Sequence, residues 1–300
     1  MLIAAPQTCP FCEGDSKKLF SKNDVPIHEC MDCKHRFVSE ESEKNLSKRM
    51  TEQFGDDYFF GGEGCYEDYS IQAPELSQKG SRYSRLLKRL LPNRPDSSKQ
   101  SPRVLDIGSA AGYLLQGFVD NGWQGTGVEA NGSMARFGRE ELGLDVRHST
   151  VETFQSDHQY DAATMVQVLP HLVNPAESLN SIRNQLSKNG LLLIETWSCR
   201  SLTARAFGKN WHEYNPPSVL HWFSRSSLGR LLRKHKFEVV KQGRPVKWIH
   251  VGNGAAIFKK SLGESAFKTG ITSVLDRVPS SLKVPYFLDD VFWVVARKCD

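Results

Sequence analysis

From Arg103 onward the chain alternates short apolar runs with longer amphipathic stretches: residues 104–107, 114–119, 126–128 and 134–142 are the first four. Runs this short suit buried strands and the wider-spaced patterns suit helices, so the alternation predicts a parallel sheet flanked by helices. Asn174-Pro175-Ala176-Glu177 offers a cap, a proline at the first helical position and an acid in the first turn. Leu179, Ile182 and Leu186 then share one face, and Asn189-Gly190 supplies the stop. Residues 190–195, Gly-Leu-Leu-Leu-Ile-Glu, predict a strand buried on both faces. Residues 291–297 predict another, in the edge region of a mixed sheet, and Ser224 is placed to cap a helix carrying Leu228, Leu231 and Leu232.

Before Arg103 the texture differs. The first forty residues hold two cysteine pairs and polar turns without a long helical period. Residues 41–102 are polar and spotted with aromatics, with helical patches at 42–54 and 83–91 and a breaker run, residues 92–98, that suits a linker. The expected organisation is a module over 1–40, a helical linker or lid over 41–102, and an α/β domain over 103–300 with a long loop at 198–224.

Composition narrows the class. With 39% hydrophobic residues, 16 Phe, 8 Tyr and 6 Trp, the chain has the apolar material that disordered proteins lack. A net charge of +5 over 300 residues demands neither a nucleic-acid nor a membrane partner. No apolar run approaches the roughly 18 residues that cross a bilayer, and no basic leader precedes Cys9, so a cytoplasmic location is expected.

Cys9-Pro10-Phe11-Cys12 and Cys30-Met31-Asp32-Cys33, with residues 13–29 between them, have the spacing of two knuckles that converge on one tetrahedral zinc. Redox-active pairs or chance are the competing readings. Four thiolates leave no open position, so the expected zinc is structural, with Phe11, Phe20 and Phe37 able to cover a small metal-centred core. His28 and His35 lie close enough in sequence for a ligand swap. The remaining cysteines, Cys65, Cys199 and Cys299, are scattered and odd in number, as reduced thiols are.

The most informative stretch runs from Val104 to Leu114: a hydrophobic strand, then the turn Gly108-Ser109-Ala110-Ala111-Gly112, then Tyr113 and a helix. Small residues at Gly108, Ala110 and Gly112 let a ligand touch the main chain, and the helix behind them points amide donors at it. Glu129 ends the next strand about 20 residues on, where a carboxylate can accept both hydroxyls of a ribose. Strand, turn, helix, strand and acid together describe a nucleotide-cofactor site.

An acid, Asp106, precedes the first glycine, and Ala110 stands at the middle of the three small positions. This resembles motif I of the class I S-adenosylmethionine-dependent methyltransferases rather than the dehydrogenase pattern. The resemblance covers residues 103–298 and continues in Tyr160 to Pro175, which is similar to the family's fourth strand and the loop after it. There Leu169-Pro170-His171 keeps a histidine and replaces an acid. With the cysteine pairs and the tyrosine-rich segment 57–69, the chain looks like bacterial methyltransferases with an N-terminal zinc ribbon. Some of those act on nucleotide-linked sugars or other small metabolites.

The resemblance implies a Rossmann-like, doubly wound and mostly parallel sheet with an antiparallel C-terminal strand, preceded by a small zinc ribbon. It implies S-adenosylmethionine held by Asp106, Gly108, Ser109, Ala110, Gly112, Tyr113, Glu129, Ala130, Val151, Glu152 and Gln167, with the segment 148–152 along the adenine. Methyl transfer is an in-line displacement that needs a proton acceptor only when the acceptor atom starts protonated. His171, at the C-terminal edge of a strand, is the first candidate for that base, with His221 and Tyr214 of the aromatic loop second. Trp211, Trp222 and Phe223 of that loop could wall a substrate or pack the insertion, the latter favoured for Phe223. Tyr58, Tyr66 and Tyr69 could close over the cofactor or pack. A small-molecule acceptor is the expected partner; an RNA or protein acceptor gripped by the ribbon, and an inactive cofactor-binding scaffold suggested by Ala110 and Pro170, are the alternatives. Against a base-methylating enzyme stands the absence of an acidic-proline-proline-aromatic signature at residues 167–170. The methyl acceptor atom and the oligomeric state are not readable from the sequence.

Overall fold

The computed structural model describes residues 8–38, 69–92, 100–245, 248–250, 283–285 and 289–300. The expected helix at 42–54, residues 93–98 of the expected linker, Cys65, Tyr58 and Tyr66 lie outside these. The described residues fall into two compact units, one drawn from Met1–Glu40, Thr196–Leu228 and Gln242–Trp293, the other from Glu41–Glu195, Gly229–Lys241 and Val294–Asp300. Among the described residues no helix is long and apolar enough to cross a membrane.

In the first unit, β1 (Ser16–Lys22) and β2 (Val25–Cys30) form an antiparallel hairpin. Its turn residues, Asn23 and Asp24, both have positive φ, 51° and 61°, which matches the twist of the flanking strands. β3 (Arg36–Val38) pairs antiparallel with β2, and β9 (His221–Trp222) pairs antiparallel with β3 through Arg36↔Trp222 and Phe37↔His221. The 198–224 stretch, expected as a loop of the α/β domain, thus belongs to the unit that holds the cysteine pairs. The reason is physical: a three-residue strand leaves an open edge, and β9 covers it. Trp211, Tyr214, Val219 and Trp222 then share one buried cluster with Ile27 of β2.

The second unit is organised on a seven-stranded sheet. Its strands are β4 (Arg103–Ile107), β5 (Gln124–Glu129), β6 (Asp145–His148), β7 (Tyr160–Val166), β8 (Leu186–Trp197), β10 (Phe237–Gly243) and β13 (Val291–Lys298), in the order β10-β13-β8-β7-β4-β5-β6. The sheet is mostly parallel with an antiparallel strand, a Rossmann-like doubly wound arrangement. β13 lies between β8 and β10, so it is one place in from the edge. A separate pair, β11 (Trp248–His250) and β12 (Lys283–Pro285), runs antiparallel. Because β4 has β5 on one side and β7 on the other, the strand order reverses at β4, and the crevice at its C-terminal end is where such sheets bind ligands.

Four helices of this unit matter for the site: α1 (Ala73–Leu90), α2 (Tyr113–Val119), α3 (Gly132–Glu140) and α4 (Pro175–Gln185). α1 begins ten residues before the expected patch at 83–91. Its buried face is Lys79, Gly80, Tyr83, Ser84 and Leu87, small and polar in its first half, so apolar periodicity does not reveal it. α4 starts as expected, with the Asn174 side chain accepting from Glu177 N, but stops at Gln185. β8 takes over at Leu186, with Asn189 in the left-handed region at φ 61°.

α1 and α2 meet through glycines. A Cβ on Gly80 would lie 2.0 Å from Leu114 O, and one on Gly117 would lie 2.1 Å from Ser77 O and 2.7 Å from Ser81 N. These neighbours are backbone atoms and cannot swing away. Gly117→Ala is therefore expected to lower stability by about 1–3 kcal/mol through overpacking, despite alanine's better helix propensity. Urea unfolding measures it; an unchanged or raised midpoint would show that the helices are free to separate.

Candidate active site

The turn after β4 is wound through three left-handed residues, Gly108 at φ 64°, Ala110 at 47° and Gly112 at 90°. Glycine is required twice for space as well: a Cβ on Gly108 would lie 2.5 Å from Val168 Cγ2, and one on Gly112 2.7 Å from Leu144 Cδ1. Ala110 holds the same hand at a cost of roughly 1–2 kcal/mol. Its compensation is visible, since Ala110 N donates to Glu129 Oε2 at 2.8 Å. Glu129 Oε1 accepts from Asn131 N, also at 2.8 Å, so one carboxylate at the end of β5 fixes both turns. Glu129 is buried; burial raises its pKa, and the N–H groups of Asn131, Ala110 and Ala130 only partly oppose this.

Asp106, at the end of β4, is 2% exposed. Its Oδ1 accepts from Thr164 Oγ1 of β7 at 2.6 Å, while Oδ2 is buried without a hydrogen-bond partner among the described residues. Burial pushes its pKa up to about 7, with Thr164 opposing and Glu129 adding to the rise. Ser109 Oγ is also buried and unpaired, packed where a side chain on Gly127 would have to go.

At the end of β7, Gln167 sits at φ 59°, its N–H bonded to Glu195 O at 2.8 Å and its Nε2 to Glu195 Oε1 at 3.3 Å. Glu195, fully buried near the end of β8, also takes Lys79 Nζ at 2.9 Å and the Tyr83 hydroxyl. Burial would raise its pKa, but Lys79, Tyr83 and Gln167 outweigh burial and hold it below the usual range. The sequence reading missed this cluster. Its one signal was a carboxylate ending a continuous apolar strand, which has to be paired when buried.

Of the other expected cofactor residues, Tyr113 is buried and stacked on Tyr69 with ring centroids 5.7 Å apart. Ala130 is exposed beside Glu129, Val151 is buried in the turn that follows β6, and Glu152 accepts from Ser178 Oγ of α4. His171 ends a 3-10 turn, Leu169–His171, directly after β7 and is half-buried. The structure therefore brings Asp106, the glycine turn, Glu129, Gln167 and His171 to the C-terminal ends of three adjacent strands.

His221 and Tyr214 lie in the other unit. His221 Nδ1 is 3.2 Å from His35 Nε2, and its ring packs against Phe11. Tyr214 is 1% exposed, wedged edge-on against Trp211 and Trp222 with its hydroxyl on Arg36 Nη1. Burial outweighs Arg36 and pushes the phenol up to about 12, which suits packing better than proton acceptance. Nearby, Cys9, Cys12, Cys30 and Cys33 place their sulfurs within 4.8 Å of one another, with Cys9–Cys33 at 3.6 Å and Cys12–Cys30 at 3.4 Å. Sulfurs on a zinc tetrahedron with bonds of 2.3 Å stand about 3.8 Å apart, so the cluster fits that geometry.

A family model described as a methyltransferase domain matches residues 76–242. The ubiquinone biosynthesis O-methyltransferase of Histophilus somni (strain 2336) is 28% identical over 152 residues, covering 42% of this chain and 64% of that protein. Its mitochondrial counterpart from Schizosaccharomyces pombe is 30% identical over 111 residues, covering 34% and 40%. The chain thus spans less than two thirds of these relatives. In fold it is similar to a Burkholderia thailandensis 1,6-didemethyltoxoflavin-N1-methyltransferase solved with S-adenosylhomocysteine, at TM-score 0.53 and 16% identity, over 95% of this chain and 100% of that one. The glycine turn, the acid after β5 and the reversal of strand order at β4 all lie inside the matched segment, and the chain belongs to the class I S-adenosylmethionine-dependent methyltransferase family.

Proposed function

We propose that this protein transfers a methyl group from S-adenosylmethionine to a small-molecule acceptor. The observation that carries the reading is the wall after β7. Gln167-Val168-Leu169-Pro170-His171 offers one half-buried imidazole just after β7, where base-methylating enzymes often present an Asn-Pro-Pro-Tyr or Asp-Pro-Pro-Tyr run. The ubiquinone-pathway names of the curated relatives, small-molecule enzymes by those names, support it.

The residues fit the cofactor. S-adenosylmethionine supplies an electrophilic methyl on a sulfonium. Glu129, already fixed by two backbone donors, keeps lone pairs for the ribose hydroxyls, and the Gly108–Gly112 turn brings the main chain within reach of the ligand. The orphaned Asp106 Oδ2 suits a cation, such as the ligand's ammonium. Gln167, held by Glu195, lines the end of β7, and His171 takes the acceptor's proton where there is one to take. The scaffold reading draws no support from Ala110, whose conformation Glu129 secures.

The four cysteine sulfurs are proposed to hold a structural zinc, with residues 1–40 as the metal-held module and 41–102 leading into the methyltransferase domain. Asp32 N and Cys33 N donate to Cys30 Sγ at 3.4 and 3.3 Å, the kind of outer contact that orients a metal ligand. All four positions of a zinc are filled, so no catalytic role is assigned to it.

Labelled methyl from S-adenosylmethionine, offered to a size-fractionated extract of the source cells, is expected to enter the small fraction. The His171→Ala variant should lose about 10²-fold in rate with cofactor affinity unchanged. Label held in nuclease- or protease-sensitive polymer would overturn the small-molecule reading.

Asp106 gives a pH signature. Its pKa is about 7 folded against an ordinary 3.8. The stability it contributes is therefore complete below the ordinary value and is lost as pH rises through 7. In the ligand-free protein Asp106→Asn should flatten the fall in urea midpoint between about pH 4 and 7.5. Cofactor binding at pH 7 should release about half a proton from the native protein but none from this variant, as calorimetry in buffers of different ionisation enthalpy reports. Equal release from both would remove Asp106 from the cofactor site.

Chelation of the zinc should raise hydrogen exchange across residues 16–38 and also 211–223, because β9 and its tryptophans share the module's sheet and core. Residues 103–107 and 160–166 should keep their protection. Unchanged exchange at 16–38 after metal removal would refute a structural zinc.

A further inference from the structure

The first unit contains a cavity of about 390 Å³, within the usual size range of small-molecule sites, which the methyl-transfer reading does not use. It is lined by Leu19 and Phe20 of β1, Arg36 of β3, Cys199, Tyr214, and the short helix Leu202–Phe207 with its continuation through Gly208 and Lys209. Three lining side chains, Arg36, Arg205 and Lys209, are cations, and none is an anion.

The charge is not cancelled from behind. Glu29 is the carboxylate that Arg36 Nε reaches, at 2.8 Å, but Arg200 takes the same oxygen at 2.9 Å, so one acid serves two arginines. Arg36 is held rigidly: Nε on Glu29, and Nη1 on Tyr214 Oη and on Cys199 O at 3.4 Å. Its Nη2 has no hydrogen-bond partner among the described residues. A mostly buried, pre-oriented guanidinium with an open edge favours a charge-assisted hydrogen bond, since little side-chain entropy remains to be lost. Arg205 and Lys209 are exposed and add attraction that salt screens. Phe20, half-buried and backed edge to face at 4.9 Å by the buried Tyr214, adds an aromatic surface beside this charge.

We propose that this cavity binds a small molecule with a flat apolar body and one anionic group, an aryl phosphate or carboxylate, its anion held by Arg36, Arg205 and Lys209. The site is independent of which acceptor the enzyme methylates, so its failure would leave that reading standing. The test is calorimetric titration of the zinc-loaded full chain, saturated with S-adenosylhomocysteine, with phenyl phosphate, benzoate and uncharged benzyl alcohol at low salt. Saturable binding of either anion but not of the alcohol is expected, and the tighter of the two identifies the preferred anion. The variant carrying Arg205→Glu and Lys209→Glu, both exposed and therefore harmless to folding, should bind at least about tenfold more weakly. Equal binding of benzyl alcohol, unchanged affinity in the double variant, or no saturable binding of either anion would overturn the proposal.

Discussion

One carboxylate holds together the end of the sheet where the strand order reverses. The turn after β4 needs three left-handed residues in a row of alternate positions, and such backbone is stable only when its polar groups are met. Val128 O meets Gly108 N and Ser109 N, Ser109 O meets Gly112 N, and Glu129 meets Ala110 N on one oxygen while taking Asn131 N, beyond β5, on the other. The same contact ties β5 to β4 at the point where the sheet order reverses. This explains how alanine can occupy a position that favours glycine: the strain is local and the compensating bond is charge-assisted.

Asp106 and Glu195 show how similar burial leads to different states. Both are carboxylates near the ends of sheet strands, and both are almost wholly inaccessible. Glu195 has a lysine, a phenol and an amide on its oxygens, so it stays ionised and acts as a structural link between α1, β7 and β8. Breaking such a buried pair from one side leaves an uncompensated charge, typically at a cost of about 3–5 kcal/mol. Asp106 has one hydroxyl and an empty oxygen, and its proton is held into the neutral range. Under the cofactor reading proposed above, the incompletely satisfied group is the one that would meet the ligand, because binding there would supply a partner the fold withholds.

What could be read from the sequence was whatever is encoded locally. Val104 through Tyr113 carries its own strand, turn and helix signals, Glu129 follows at a spacing that βαβ geometry sets, and Asn174-Pro175 marks a helix start without outside help. The cysteine knuckles are equally local. What escaped depends on partners far away in the chain. The first half of α1 buries Lys79 and Gly80, a face that looks polar until Glu195 and Gly117 are placed against it. The end of α4 at Gln185 is decided by the pairing of Leu186 with Tyr160, not by the later Asn-Gly. Thr164, which orients Asp106, had no signal of its own.

The aromatic stretch after β8 is the sharpest case, because its residue types fit a substrate wall and a packing layer equally well. The deciding fact is the edge of β3. Three short strands and a cluster of four cysteines bury too little apolar surface to stand alone, and a two-residue strand, His221–Trp222, completes their sheet. Once that register is fixed, strand alternation sends Trp222 to the cluster of Ile27, Trp211 and Tyr214, while His221 faces Phe11 and His35 near the cysteines. His221 and Tyr214 thereby contribute to the packing of this unit. The open edge of Arg36 and the exposed Arg205 and Lys209 remain as the polar groups in this unit that the packing leaves facing a cavity.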